Sequence, residues 1–257
     1  MHERGEGKVD AVVLAGQRND GALRDVSSVP FEGDIPIAGR PMIDWVLDAL
    51  IEAHHIDRIM VVGPETTKRP NVIGVPMREG LLENVMAGVT AVQKQDRVLV
   101  VTGDIPLITG RVVDALVEAA PPADLVYPVV ERSCVEQFMP GVRRTYVRLR
   151  DGVFTGGNVF FVNPAIMPQV ANMAQVLLAH RKSPIRLAQD IGWGFLLKLF
   201  AGRLTLGVAE KRVSQVLGVM GRVLVAADPE VGVDVDKVSD WEMVSQVLLE
   251  RHQRPIS

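Results

Sequence analysis

Four near-continuous apolar runs, "VDAVVLAG" (9–16), "DRIMVVG" (57–63), "RVLVVTG" (97–103) and "ADLVYPVV" (123–130), alternate with longer segments of helical period. Strands apolar at successive positions have no face to offer water, so helices must cover both sides of their sheet. The helical segments are "PMIDWVLDALIEA" (41–53), with Pro41 at a favoured first-turn position, "LLENVMAGVTAVQ" (81–93) and "GRVVDALVEAA" (110–120). This repetition predicts an α/β fold with a mostly parallel, doubly wound sheet and right-handed crossovers. After residue 130 the pattern changes. "TYVRLRDGVFT" (145–155) reads as a hairpin turning at Asp151-Gly152, and "GGNVFFVNP" (156–164) as a further strand. Helices are expected over roughly 165–181, 184–201 and 205–217, then a strand in "RVLVAA" (222–227) and a closing helix begun at Ser239 or Asp240. At 257 residues the chain suits one large core, so the expectation is a single domain over 1–257 with a helical insert around 165–217.

Charge and cysteine content narrow the function. A net charge of −3 offers no electrostatic footprint for nucleic acid or an anionic membrane. Cys134 is the only cysteine, so no intrachain disulfide forms, and the polar "MHERGEGKVD" lacks a signal peptide's apolar stretch; both favour a cytoplasmic protein. "IGWGFLLKLFAG" (191–202) is too short to span a bilayer and is interrupted by Lys198. A mean hydropathy of +0.18 is compatible with a homodimer surface.

In open α/β sheets ligands bind beyond the carboxyl ends of the strands. Three features fall there. Leu14, Ala15 and Gly16 end the first strand and lead into the irregular polar loop "QRNDGALRD". Small residues there let backbone N–H groups approach phosphates, although taken alone the feature reads more simply as a plain strand-to-helix turn. Neither the dinucleotide fingerprint nor a P-loop is present. Gly103 and Asp104 end another strand, and Asp234 and Asp236 in "GVDVDK" follow the last one. Mg²⁺ typically takes one or two carboxylates plus substrate phosphates, so aspartates from separate strand ends facing one crevice would suit it. Capping of a turn by Asp104, and solvation of Asp234 and Asp236, are the non-functional alternatives.

The order "VVLAG", "PIAGRPMIDWVLDAL", "VVTGDIPLIT", a "TGGN" strand and "VDVDK" resembles the MobA-like nucleotidyltransferases over most of the chain. That superfamily includes molybdenum-cofactor guanylyltransferase, the N-acetylglucosamine-phosphate uridylyltransferases and the cytidylyltransferases. The resemblance implies a Rossmann-like three-layer α/β/α fold of the nucleotide-diphospho-sugar transferase type. It also implies transfer of an NMP moiety from a nucleoside triphosphate to a phosphorylated or hydroxyl-bearing small acceptor, such as a sugar phosphate, with Mg²⁺ and release of pyrophosphate. By the same resemblance Leu14, Ala15, Gly16, Gly80, Glu83, Asn84 and Gly103 would hold the nucleotide. Asp104 and Asp236 would ligate the metal, and Gly157 and Asn158 would meet the acceptor.

The departures are specific. The family's loop reads LAGGxGxR with a downstream PK pair, whereas Gln17, Asn19, Gly21 and Glu32 fill the two later glycine slots, the arginine slot and the lysine slot. Such cations neutralise charge on the transferred phosphate and departing pyrophosphate. Arg18, Arg24 and Arg40 are the available substitutes, Arg24 being the best placed. Arg148 or Arg150 of "RRTYVRLR" would reach an acceptor phosphate only if that strand face turned toward the cleft. Trp45 is expected in the core, Trp193 against the fold, and His54-His55 at a helix end. Two other readings stay open: a nucleotide-binding sensor that has lost transfer, and a glycosyltransferase using the Asp234-Val235-Asp236 string.

Overall fold

The computed structural model describes residues 7–64, 69–92, 96–180, 183, 189 and 191–253. The strands are β1 (Val9–Leu14), β2 (Pro36–Ile37), β3 (Arg40–Pro41), β4 (Ile56–Gly63), β5 (Val72–Pro76), β6 (Val98–Thr102), β7 (Leu125–Glu131), β8 (Val147–Leu149), β9 (Gly152–Gly156), β10 (Val159–Val162) and β11 (Gly221–Ala226). The helices are α1 (Met42–Glu52), α2 (Leu81–Ala91), α3 (Gly110–Ala119), α4 (Arg132–Phe138), α5 (Met167–His180), α6 (Trp193–Phe200), α7 (Leu206–Leu217) and α8 (Val238–Gln253). The expected helix over 184–201 falls partly outside the described residues.

The main sheet runs β5–β4–β1–β6–β10–β7–β9–β8, with β11 beside β7. Strands β5, β4, β1 and β6 are mutually parallel, β10 lies antiparallel between β6 and β7, and β11 is parallel to β7. This is the mostly parallel, doubly wound architecture expected. Strand order departs from β1 in both directions, so the switch point lies between β1 and β6, where Leu14 pairs with Thr102.

Burial on both faces explains the continuous apolar runs. Ala11 and Val13 belong to a core shared with α1 and α3, whereas Val12 and Leu14 face a second core with Val85 and Val89 of α2. Helix α1 commits one face to the first core through Met42, Ile43, Val46, Leu47, Ala49 and Leu50. At the opposite end of the sheet from the switch point, buried Asp10 is held by Arg58, Nη2 to Oδ2 at 2.5 Å. The second face of the sheet continues under α5 and α7. Edge strand β11 is closed by α7, where the Val223 N–H donates to Glu210 Oε1 at 2.7 Å.

Helix α2 approaches β1 closely at Gly88, where an added β-carbon would lie 2.3 Å from Val12 Cγ1 and 2.9 Å from Val62 Cγ2. Both neighbours are stiff β-branched core residues. Gly88→Ala is therefore expected to destabilise the fold by about 1–3 kcal/mol despite alanine's better helix propensity, measured by urea unfolding.

Several details differ from expectation. Pro41 ends the small β2–β3 hairpin and caps α1 instead of opening its first turn. That hairpin turns through Ala38 and Gly39, both at positive φ. Strand β5 and helix α4 have no counterpart in the sequence reading. Trp193 is 56% exposed, not packed against the fold. His54 and His55 reach across to α3, pairing with Asp114 at 2.9 Å and Glu118 at 3.0 Å.

Candidate active site

The site begins with backbone hydrogen bonds that align three strand ends. The Gly103 N–H donates to the Leu14 carbonyl at 3.0 Å, and the Ala15 N–H to the Val62 carbonyl at 2.8 Å. Asp104 thus emerges directly beside the end of β1. The Val235 N–H then donates to the Asp104 carbonyl at 2.9 Å, tying the segment before α8 to the same rim. Along that segment Val233 and Val235 are fully buried, so the period-two alternation of extended backbone turns Asp234 and Asp236 the other way. Carboxylate oxygens of Asp104, Asp234 and Asp236 consequently lie within 4.8 Å of one another.

Opposing charge is scarce here. Arg144, only 6% exposed in its side chain, donates from Nη1 to the Asp234 carboxylate and from Nη2 to the Asp234 carbonyl. Its Nη1 is 3.9 Å from Asp240 Oδ2, and Lys237 Nζ is 3.7 Å from Asp240 Oδ1. Burial and the neighbouring Asp234 charge push the Asp104 carboxyl up to about 6. Burial and the Asp236 charge push Asp234 up to about 6 against the attraction of Arg144. Glu32 also faces this cluster: burial, then the charges of Asp104 and Asp236, raise it to about 7. The position that holds a lysine in the family pattern thus adds negative charge.

Asp104 Oδ1 is buried and has no hydrogen-bond partner among the described residues. A buried carboxylate oxygen without a donor is costly. With two further carboxylates in reach, this donor set fits a hard divalent cation such as Mg²⁺.

The residues matched to nucleotide binding surround the same rim. Asn84 Nδ2 lies 3.3 Å from where a β-carbon on Gly16 would stand, and Asn84 Oδ1 accepts the Arg78 N–H at 2.6 Å. The Glu83 carboxyl folds back over Gly80, the residue before α2. A cavity of about 690 Å³ extends from Leu14 and Thr102 past Leu81 and Leu82 to Gly157 and Asn158; of the residues matched to the nucleotide, Leu14 lines it. A polar cavity of about 530 Å³ meets it at Asn158 and is bounded by Arg143, Arg144, Thr155, Asp234, Asp236 and Lys237. Gly157 itself is a packing position, since an added β-carbon would lie 2.8 Å from Val231 Cγ1 and 2.9 Å from the Pro128 carbonyl.

The family model of the MobA-like NTP transferase domain matches residues 11–189, more than half of the chain. The chain belongs to this family. A hypothetical transferase from Thermus thermophilus is similar at 41% identity, with a TM-score of 0.82 over 91% of this MobA-like chain and 99% of that one. CMP:2-keto-3-deoxy-manno-octonic acid synthetase, complexed with CTP, shares the fold at 14% identity and TM-score 0.60, covering 95% and 99% of the two chains. A nucleotidyl transferase from Methanothermobacter does so at 17% and 0.56, covering 96% and 100%. No curated protein matches.

The cations proposed as substitutes in this MobA-like chain are placed unequally. Arg40 pairs with Asp48 at 2.5 Å and lies over the Trp45 ring, which packs against the core. Arg18 lies over Phe31. Arg24 is exposed on the short helical turn Ala22–Asp25, with no ion pair among the described residues. Arg148 runs beside Gly202, just after α6. The guanidinium that does meet the acids is Arg144. Sequence reading passed over it because the run "RRTYVRLR" looked like a solvated strand face, and Arg144 precedes the strand proper.

Proposed function

We propose that this chain transfers a nucleoside monophosphate from an NTP to a small anionic acceptor. The acceptor oxygen attacks the α-phosphorus, the α–β anhydride bond breaks, pyrophosphate leaves, and the acceptor's hydroxyl proton passes to solvent. The observation that carries this reading is the convergence of Asp104, Asp234 and Asp236 within 4.8 Å beside the β1–β6 switch point. Asp104 and Asp236 would hold a divalent cation, which supplies charge neutralisation on the α-phosphate and pyrophosphate oxygens. Arg144 restrains Asp234 and thereby keeps the acidic segment in register. Leu14, Ala15, Gly16, Gly80, Glu83, Asn84 and Gly103 would hold the nucleotide. Asn158 stands between the nucleotide and acceptor compartments. Arg143 and Lys237 offer positive charge to the acceptor's anionic group. Arg24, exposed and without an ion pair among the described residues, is the loop cation assigned to the leaving pyrophosphate.

A second reading follows from Glu32. A carboxyl in the lysine position, facing other acids, suits a domain that binds nucleotide without transferring it. Pyrophosphate release, measured for each NTP with Mg²⁺ and a panel of sugar phosphates, hydroxy acids and short- and long-chain alkyl phosphates, separates the two. Turnover with one pair supports transfer. Tight, Mg²⁺-dependent NTP binding without turnover across the panel favours the sensor.

A further inference from the structure

Beside the polar compartment lies a third cavity, of about 440 Å³, between the sheet and helices α6 and α7. Its walls are almost wholly apolar, built from Val129 and Tyr127 of β7, Leu149 and Phe154 of the β8–β9 hairpin, and Phe195 and Leu199 of α6. It meets the polar compartment at Thr155 and Gly156, which line both, and it meets the nucleotide-side cavity at Tyr127. The Tyr127 hydroxyl lies against Gly156, only 2.2 Å from where a β-carbon there would stand. Native interiors keep few voids larger than a water molecule, whereas small-molecule sites are mostly apolar clefts of about 300–1,000 Å³ with a few polar groups to one side. On the polar side, the Arg143 guanidinium has no ion-pair or hydrogen-bond partner among the described residues. Helix α6 is apolar on both faces, with Phe195 and Leu199 toward the cavity and Leu197 and Phe200 67% and 74% exposed. Packing alone requires only one such face.

We propose that the acceptor is an amphiphile, an anionic ester such as an alkyl phosphate, with its head at Arg143 and Lys237 and its hydrocarbon chain in the cavity between the sheet and α6–α7. This rests on the transfer reading for its consequence, but the cavity's occupancy is tested by itself. Methyl, butyl, octyl and dodecyl phosphate, each below its micelle concentration, are titrated calorimetrically into the full chain, with Mg²⁺ and NTP binding measured separately. Affinity is expected to rise at least about a hundredfold from methyl to octyl phosphate. Ala209→Phe and Val213→Phe, which fill the cavity from α7 at a half-buried and an exposed position, are expected to remove that rise and spare NTP binding. Flotation with phosphatidylcholine vesicles containing dodecyl phosphate identifies a membrane-resident acceptor; chain-length-dependent binding without flotation identifies a dispersed one, and both support the assignment. Equal affinity across the series, or a rise that survives both filled variants, overturns it. Failure of Mg²⁺ and NTP to bind while the chain-length dependence holds would instead remove the transfer reading and leave the apolar site standing.

Discussion

Asp104→Asn is expected to lower pyrophosphate release by about a thousandfold or more and to weaken Mg²⁺ binding, while making the metal-free protein more stable. The substitution keeps shape and volume and removes one charge. The Asp104 carbonyl, which accepts the Val235 N–H, is untouched, so the acidic segment stays at the rim. Loss of one ligand for a cation that stabilises charge on phosphate oxygens costs about 4 kcal/mol of barrier. Without the cation, the same carboxylate is held beside Asp234 in a poorly hydrated position, with one oxygen lacking any donor among the described residues. Neutralising it removes that repulsion, and the metal-free melting temperature should rise by about 2–4 °C for each kcal/mol recovered in a chain of this size. Calorimetric Mg²⁺ titration, a pyrophosphate assay and thermal unfolding in chelator test the three effects together. If the Asp104→Asn protein is stable, still binds the metal and keeps more than about a tenth of the parent rate, Asp104 has no part in the chemistry.

What could be read from the sequence follows burial. Strands β1, β4 and β6 declare themselves because helices cover both their faces, and each leaves a near-continuous apolar run; β7 keeps such a run although Tyr127 is exposed. Asp104 is legible because it follows such a strand almost directly, where a carboxylate needs a turn or a ligand to satisfy it, whereas Asp236, ten residues past the end of β11, is legible through the family resemblance. Strand β5 is not legible: it is an edge strand with no buried residue, and Gly74 and Pro76 interrupt its pattern. Helix α4 follows β7 without a side-chain cap to announce it. Arg144 takes its meaning from Asp234, 90 residues away, and no local pattern encodes that contact. Glu32 is an intermediate case. Its departure from the family's lysine is visible in one dimension, but its place among the acids becomes visible only once the loop is folded against the strand ends.

The acidic cluster should also reverse the usual response of a protein to mild acid. Asp104 and Asp234, raised to about 6, and Glu32, raised to about 7, bind protons in the folded chain that the unfolded chain would release. A carboxyl whose folded pKa is raised contributes stability below its ordinary value and loses it as pH rises through the folded value. In chelator, the melting temperature is therefore expected to climb as pH falls from about 8 to about 5. All three carboxyls act in this sense, and each kcal/mol gained raises the melting temperature by about 2–4 °C in a chain of this length. Asp114, which burial alone would raise but N–H donors from His55 and His54 lower, acts in the opposite sense and titrates below this window. A divalent cation competes with protons for the same oxygens. The stabilisation gained on adding Mg²⁺ should then be greatest at about pH 8 and close to nothing at about pH 5. Thermal unfolding across that range, with Mg²⁺ and with chelator, is the measurement. A metal-free melting temperature that falls steadily as the solution is acidified, with a Mg²⁺ increment independent of pH, would mean that these three carboxyls do not share one electrostatic site.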